Sequence, residues 1–294
     1  MLQRIKKAIK VLIGRETEKK EKVFTAFQAI DPLDSTFLEK IQAYEYEFIF
    51  TEFGEERVNA GGAVLSQQNR LEPSLSGIKK YFPHAKITVY TDFDWQDTDG
   101  LNIIKVQSPV VDADHPRFGY RTSVYFRFKG LVESTADFAC AIDTDMVIVN
   151  ENIYALVMLT QKFGFCAPYN IRQLLKQDMV QSLDTQPIKD ESLGMGRSYN
   201  QSPMTLWKNH EAGRKYYTAC MEIMKNDPSR GSLVMWKAAW ETGVHPYVLP
   251  KQFCVCDGDI GCDDEVILHV GHPSVAKYYL SLIHISEPTR RYAI

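Results

Sequence analysis

The sequence predicts an α/β fold in which helices pack on a mostly parallel sheet. Three observations carry this. Short apolar strands alternate with helical patterns through the first half of the chain. Those strands look buried and end in polar residues. The polar ends, Thr51, Asp92 and the acids at 143–145, fall where open α/β sheets bind ligands, beyond the carboxyl ends of strands.

The elements follow in order. In LQRIKKAIKVLI (2–13), Leu2, Ile5, Ile9 and Leu12 share a helical face, and Arg4, Lys6, Lys7 and Lys10 lie largely elsewhere. A basic amphipathic helix of this kind can lie on an anionic membrane surface, but the segment is short, and packing on its own domain or a frayed terminus is the favoured reading. GRETEKKEK (14–22) is a charged linker. EYEFIFTE (45–52) and KITVYTD (86–92) read as strands. Between them Leu75, Ile78 and Phe82 share a helical face that Pro83 terminates. NIIKVQ (102–107) is a short strand and TSVYFRFKGLVES (122–134) a helix. DFACAIDTDMVIVN (137–150) is a strand interrupted by two acids, and NIYALVML (152–159) returns as a helix. The second half is less regular: a loop and strand within 197–207, helices at about 210–225 and 231–242, an acidic loop at 256–265, and a final strand and turn, VILHVGH (266–272).

Composition bounds the function. The 294 residues are 45% apolar and 24% charged, which excludes disorder, collagen and coiled coil as global descriptions. Lys and Arg number 34 against 37 acids, so no global basic field points to nucleic acid. Six cysteines lie at 140, 166, 220, 254, 256 and 262; Cys140, Cys166 and Cys220 sit in apolar segments and read as reduced thiols of a cytoplasmic protein. No apolar run reaches the ~18 residues of a membrane helix, and the N-terminus lacks a signal-peptide pattern. LSLIHISEPTR (280–290) coincides with one reading frame of a transposase sequencing adaptor, so residues 280–294 are set aside as an adaptor-derived tail.

Asp143-Thr144-Asp145 is the most informative motif. Two carboxylates between apolar runs are costly unless something neutralises them. A hard divalent cation is the natural partner, since it takes oxygen ligands and bridges phosphates. On an extended strand, residues i and i+2 point the same way and reach one ion. His269, ending another apolar strand, is placed to complete the ligand set. Gly271 allows close backbone approach and Lys277 supplies positive charge, as a phosphate-cradling loop requires.

These segments together resemble the metal-dependent GT-A glycosyltransferases, nearest the family 8 type of glycogenin and the bacterial lipopolysaccharide galactosyltransferases. VYTD (89–92), FRFKGLVESTADFACAIDTDMVIV (126–149), SYNQSPMTLW (198–207) and ILHVGH with Lys277 carry the resemblance over about residues 45–279. It implies a GT-A-like three-layer α/β/α sandwich as a single domain over 23–279, with a nucleotide-sugar half at about 45–150 and an acceptor half at about 151–279. It also implies Mn²⁺ or Mg²⁺ on Asp143, Asp145 and His269, a UDP-sugar donor, and a saccharide, lipid-linked or protein acceptor. Arg127 would face the donor sugar or hold the acids, Asn200 would lie by the sugar or acceptor, and Thr51 by the base or ribose. Asp92 and Gly271 would belong to the nucleotide site, and Lys277 would neutralise the leaving phosphate. The chain departs from the family where an Asp-Gln pair is replaced by SRGSLVMW (229–236), with Arg230 in its place, and where HPSVAKYY lengthens the interval between His269 and Lys277.

Competing expectations remain at this point. Asp143, Asp145 and Val147 also fit the opening motif of haloacid-dehalogenase-type phosphatases, with Asp143 as nucleophile and GDIGCDD (258–264) as the late acidic loop. A non-catalytic module on the same fold is a third reading. Cys254, Cys256 and Cys262 with a histidine form a zinc alternative to plain core thiols. His115, Arg117 and Arg121 precede a helix and suit either a phosphate contact or a solvated cap.

Overall fold

The computed structural model describes residues 35–54, 71–95, 99–110, 118–170, 198–226, 230–261 and 264–286. The basic segment 2–13, the linker 14–22, His115, Arg117, Cys262 and the tail beyond Ser286 lie outside the described residues. The chain divides after Ala43 into two units. In the first, Ser35–Gln42 form helix α1. Everything below concerns the second.

The strands are β1 (Tyr46–Glu52), β2 (Lys86–Thr91), β3 (Asn102–Lys105), β4 (Phe138–Ala141), β5 (Met146–Ile148), β6 (Phe165–Pro168), β7 (Met204–Trp207), β8 (Tyr247–Leu249) and β9 (Ile267–His269). The helices are α2 (Glu72–Tyr81), α3 (Phe118–Glu133), α4 (Ile153–Phe163), α5 (Glu211–Asn226), α6 (Gly231–Thr242) and α7 (Pro273–Ser286). Seven strands form one sheet in the order β3-β2-β1-β4-β7-β6-β8, and β5 pairs with β9 in a small second sheet. Four of the six pairings in the large sheet are parallel, and β7 runs antiparallel to both neighbours.

Period-two alternation sorts β1 between two layers. Ile49 packs into the large core with Val124, Phe128 and Leu131 of α3, Tyr216 and Tyr217 of α5, and Trp236 of α6. Phe48 points the other way, against Phe82 beyond α2 and Phe138, while Tyr154 of α4 closes on Phe82 and Tyr81. Helices therefore cover both faces, and the expected three-layer α/β/α sandwich with its mostly parallel sheet is present. Gly130 lets α3 lie close on the sheet: a Cβ there would come within 2.7 Å of Ile49 Cγ2.

Most expected elements form. Two strands escaped the sequence reading, β6 and β8, with four and three residues. Segments that short carry too few residues to show a period. Helix α3 starts at Phe118, four residues ahead of the expected Thr122. Helix α7 continues past residue 280 to Ser286, so the segment set aside as a tail shares a helix with the chain before it.

From β1 the chain moves outward to β2 and β3, then returns to place β4 on the other side of β1. The strand order thus reverses between β1 and β4, which opens a crevice at their carboxyl ends. Asp143 and Asp145 follow β4 directly at that point.

Candidate functional site

The two acids do not sit on an extended strand as expected. Residues 143–146 form a turn closed by the Met146 N–H donating to the Asp143 carbonyl at 3.1 Å. The turn is held from three sides. The Asp143 N–H donates to Ser202 Oγ at 2.7 Å. Thr144 Oγ1 donates to Glu52 Oε1 at the end of β1, and Ser74 Oγ of α2 donates to the Thr144 carbonyl. Apolar β4 and β5 on either side bury the flanks and leave the two carboxylates half-buried.

His269 arrives through the small sheet. Its register pairs Met146 with His269, and the Val270 N–H donates to the Asp145 carbonyl at 2.8 Å. The His269 Nε2 then lies 3.4 Å from Asp145 Oδ1. Ligand atoms of Asp143, Asp145 and His269 all fall within 4.8 Å of one another. Gly271 is part of the same arrangement, because a Cβ there would collide with Asp145 Oδ2. The missing side chain at this position, expected from the sequence to let a phosphate approach, here makes room for the Asp145 carboxylate.

Arg127 is the clamp behind the acids. Its guanidinium forms an ion pair with Asp143, donates from Nε to Thr51 Oγ1 at 3.1 Å, and reaches the Gln201 carbonyl at 3.5 Å. Of the two expected roles, holding the acids is the one its contacts show. Thr51 is only 3% exposed, and its hydroxyl also meets Ser123 Oγ at 2.7 Å. The contacts it makes here are thus to Ser123 and Arg127. Asp92 is exposed and accepts the Gly54 N–H at 2.9 Å, away from the cavity described next.

A cavity of about 440 Å³ opens beside the acids. Asp143 and His269 line it, with Asn200, Gln201, Arg230, Lys251, Cys254 and Cys256 among the other walls. Asn200 is held by contacts from Nδ2 to the Tyr169 carbonyl and to Cys254 Sγ. Lys277, expected to supply the phosphate cation, is exposed on α7 and does not line the cavity. Lys251 and Arg230 do line it. Lys251 lies in a 3-10 turn after β8, paired at 2.7 Å with Asp259, and no sequence signal singled it out. The buried Arg121, grouped with His115 and Arg117 in the sequence, is 1% exposed and not a cavity wall.

The electrostatics favour positive charge at the acids. Burial works against a charged His269, but the hydrogen bond to Asp145 and the field of both carboxylates hold its proton affinity well above the usual imidazole range. Cys256 is pulled below the ordinary thiol range by its contact with Cys254 and by the neighbouring His269. Two carboxylates and one imidazole are a donor set for a hard or borderline divalent cation. Each carboxylate has two oxygens, so Asp143 can engage Arg127 and a cation together. The residues present therefore fit such an ion.

No family model matches the chain, and no curated sequence matches it. Among solved structures it is similar to the glycosyltransferase GlyE of Streptococcus pneumoniae TIGR4, with 12% identity and a TM-score of 0.45 over 77% of this chain and 54% of that one. It is similar to the bifunctional glycosyltransferase WbbM, with 10% identity and a TM-score of 0.42 over 76% of this chain and 40% of that one. It is similar also to the PaToxG glycosyltransferase, with 10% identity and a TM-score of 0.39 over 93% and 87% of the two chains. The chain spans about half the length of the GlyE chain and less of WbbM. Among the described residues, no helix is long and apolar enough to cross a membrane.

Proposed function

We propose that this chain moves a glycosyl group from a nucleotide-diphosphate sugar to an acceptor hydroxyl, with Mn²⁺ or Mg²⁺ held by Asp143, Asp145 and His269. A UDP-sugar is the donor proposed, and a saccharide, lipid-linked glycan or protein the acceptor. The observation that carries this is the convergence of two carboxylates and an imidazole at the β1–β4 switch point, with Asp143 and His269 on the wall of the cavity. Asp143, Asp145 and His269 would hold the cation, and when bound it would neutralise charge on a departing nucleoside diphosphate.

The chain's own groups do the rest. Arg127 pairs with Asp143, which lines the cavity, so the carboxylate is oriented before any ligand arrives. Lys251 and Arg230 stand on the cavity wall as point charges for phosphate or sugar oxygens. Asn200 offers a neutral amide for a sugar hydroxyl. The phosphatase alternative asks Asp143 to act as a nucleophile and gives no role to His269, whereas here Asp143 is engaged by Arg127 and His269 stands against Asp145. A cytoplasmic location is proposed for the chain, with peripheral membrane contact through residues 2–13 only as the alternative to their packing on the domain or fraying.

The test is a thermal-shift screen of UDP, GDP and their sugars with and without Mn²⁺, with Asp145→Asn as control. A Mn²⁺-dependent rise for one nucleotide, absent in the variant, supports the transferase. No shift with any nucleotide, alongside turnover of a phosphate ester, overturns it in favour of the phosphatase.

A further inference from the structure

Cys254, Cys256 and His269 form a second cluster, whose ligand atoms also lie within 4.8 Å of one another. The backbone explains why. Residues 254–256 lie alongside β9: the Val255 N–H donates to the Ile267 carbonyl and the His269 N–H to the Val255 carbonyl, both at 3.0 Å. Val255 and Leu268 pair across a parallel bridge, and both enter a small apolar core with Val147, Val270 and Val275. Alternation then sends their neighbours Cys254, Cys256 and His269 to the opposite side. All three line the cavity.

The spacing suits one ion. Cys254 Sγ and Cys256 Sγ are 4.0 Å apart, and Cys256 Sγ is 3.8 Å from His269 Nδ1. A tetrahedron with metal–sulfur bonds of about 2.3 Å has edges of about 3.8 Å. The sulfur–sulfur edge lies near that value, and a shorter metal–nitrogen bond of about 2.0–2.1 Å makes the sulfur–nitrogen edge slightly shorter, as it is here. Thiolate and imidazole ligands select zinc-like, thiophilic cations, whereas the carboxylate cluster selects hard ones.

We infer that Cys254, Cys256 and His269 Nδ1 bind a thiophilic divalent cation such as Zn²⁺, in a site with three protein ligands whose fourth position faces the cavity. The site is chemically distinct from the acid cluster but shares His269 with it, through the opposite ring nitrogen. A neutral imidazole has one lone pair and one N–H. With Nδ1 on the thiophilic ion, Nε2 carries the proton and donates toward Asp145. Where the acids hold a cation as proposed above, the two sites compete for one imidazole.

The experiment titrates metal-free full-length protein with Co²⁺ and follows thiolate-to-cobalt absorption, then displaces Co²⁺ with Zn²⁺. Wild type should bind one equivalent with thiolate absorption. Asp145→Asn should keep it, which separates this site from the acid cluster and makes the outcome independent of any transferase activity. Cys256→Ser should abolish the absorption and weaken Zn²⁺ by more than the roughly 10–100-fold that loss of an outer-shell partner gives. Cys254 is buried, so Cys254→Ser is read only if its circular dichroism matches wild type; Cys256 is less enclosed and serves as the main variant. X-ray absorption of the Zn²⁺ form should show two sulfurs at about 2.3 Å. Absence of thiolate absorption in wild type, its persistence in Cys256→Ser, or its loss in Asp145→Asn would overturn the inference.

Discussion

Arg127 and Asp143 form an ion pair in which the side chains are 8% and 17% exposed, joining helix α3 to the turn after β4. The guanidinium makes three different contacts at once: the Asp143 carboxylate, the Thr51 hydroxyl and the Gln201 carbonyl. These groups come from the turn, from β1 and from the loop before β7. One side chain thus sets the relative position of the acids and of the cavity wall that carries Asn200. A planar fork of five donors can do this and a lysine ammonium cannot.

Replacing Arg127 by Met should therefore cost about 3 kcal/mol, the low end for breaking a largely buried pair, because Asp143 is left without its cation. Adding Asp143→Asn should recover part of that loss. Urea unfolding of the two single variants and the double variant measures the coupling. A strictly additive double variant would mean the pair contributes nothing. Arg127→Lys should fold and yet lose Mn²⁺-dependent nucleotide binding.

Gly271→Ala tests the space beside Asp145. The added methyl would collide with Asp145 Oδ2, so the carboxylate must turn away. The backbone there is ordinary for an L residue, so the global fold should survive. Mn²⁺ affinity should fall about tenfold, corresponding to about 1.4 kcal/mol, while the unfolding midpoint stays close to wild type. Titration calorimetry gives the first quantity and urea unfolding the second.

Glu47 provides a pH-dependent contribution away from the site. It is 5% exposed within β1, where burial pushes its carboxyl up. Hydrogen bonds from Ser134 and Thr88, each 2.6 Å long, and the ion pair with Lys86 outweigh burial and hold it below the usual glutamate value of 4.5. The unfolded chain then takes up its proton first as the pH drops. The stabilisation is complete above about 4.5 and is lost as pH falls through the lower folded value. Urea midpoints measured from pH 7 down to 3 should fall more steeply for wild type than for Glu47→Gln, which has no proton to take up. Parallel profiles would refute the assignment.

The parts of the fold that local sequence makes legible are those with long patterns. The seven consecutive buried residues of β1 and the sixteen-residue length of helix α3 make each recognisable as an element. Asp143, Asp145 and His269 were legible as residue types, since acids between apolar runs need a counter-charge. What was not legible depends on pairing distant in sequence. The approach of Cys254 and Cys256 to His269 requires the bridge between Val255 and Leu268. The site's Lys251 requires the 3-10 turn after a three-residue strand. Neither leaves a trace in a local window. Lys277 was plausible by residue type but lies on a helix that faces it to solvent.

Thr51 shows the same limit and supplies a last test. Every residue of β1 is buried, so alternation cannot say which neighbour a given side chain meets. A threonine at a strand's carboxyl end reads as a ligand contact, yet its hydroxyl lies between Ser123 and Arg127. Thr51→Val keeps the shape and removes the oxygen. The Arg127 Nε and the Ser123 hydroxyl then lose a buried partner, which should cost about 1–3 kcal/mol in urea unfolding. A group that acts through Arg127 should change Mn²⁺-dependent binding more than metal-free nucleotide binding, because the acids shift while the rest of the cavity does not. Metal-free nucleotide affinity should stay within about twofold, well under the 1.4 kcal/mol of a tenfold change. If that affinity instead fell tenfold with stability unchanged, Thr51 would touch the nucleotide directly and the positioning role would be wrong.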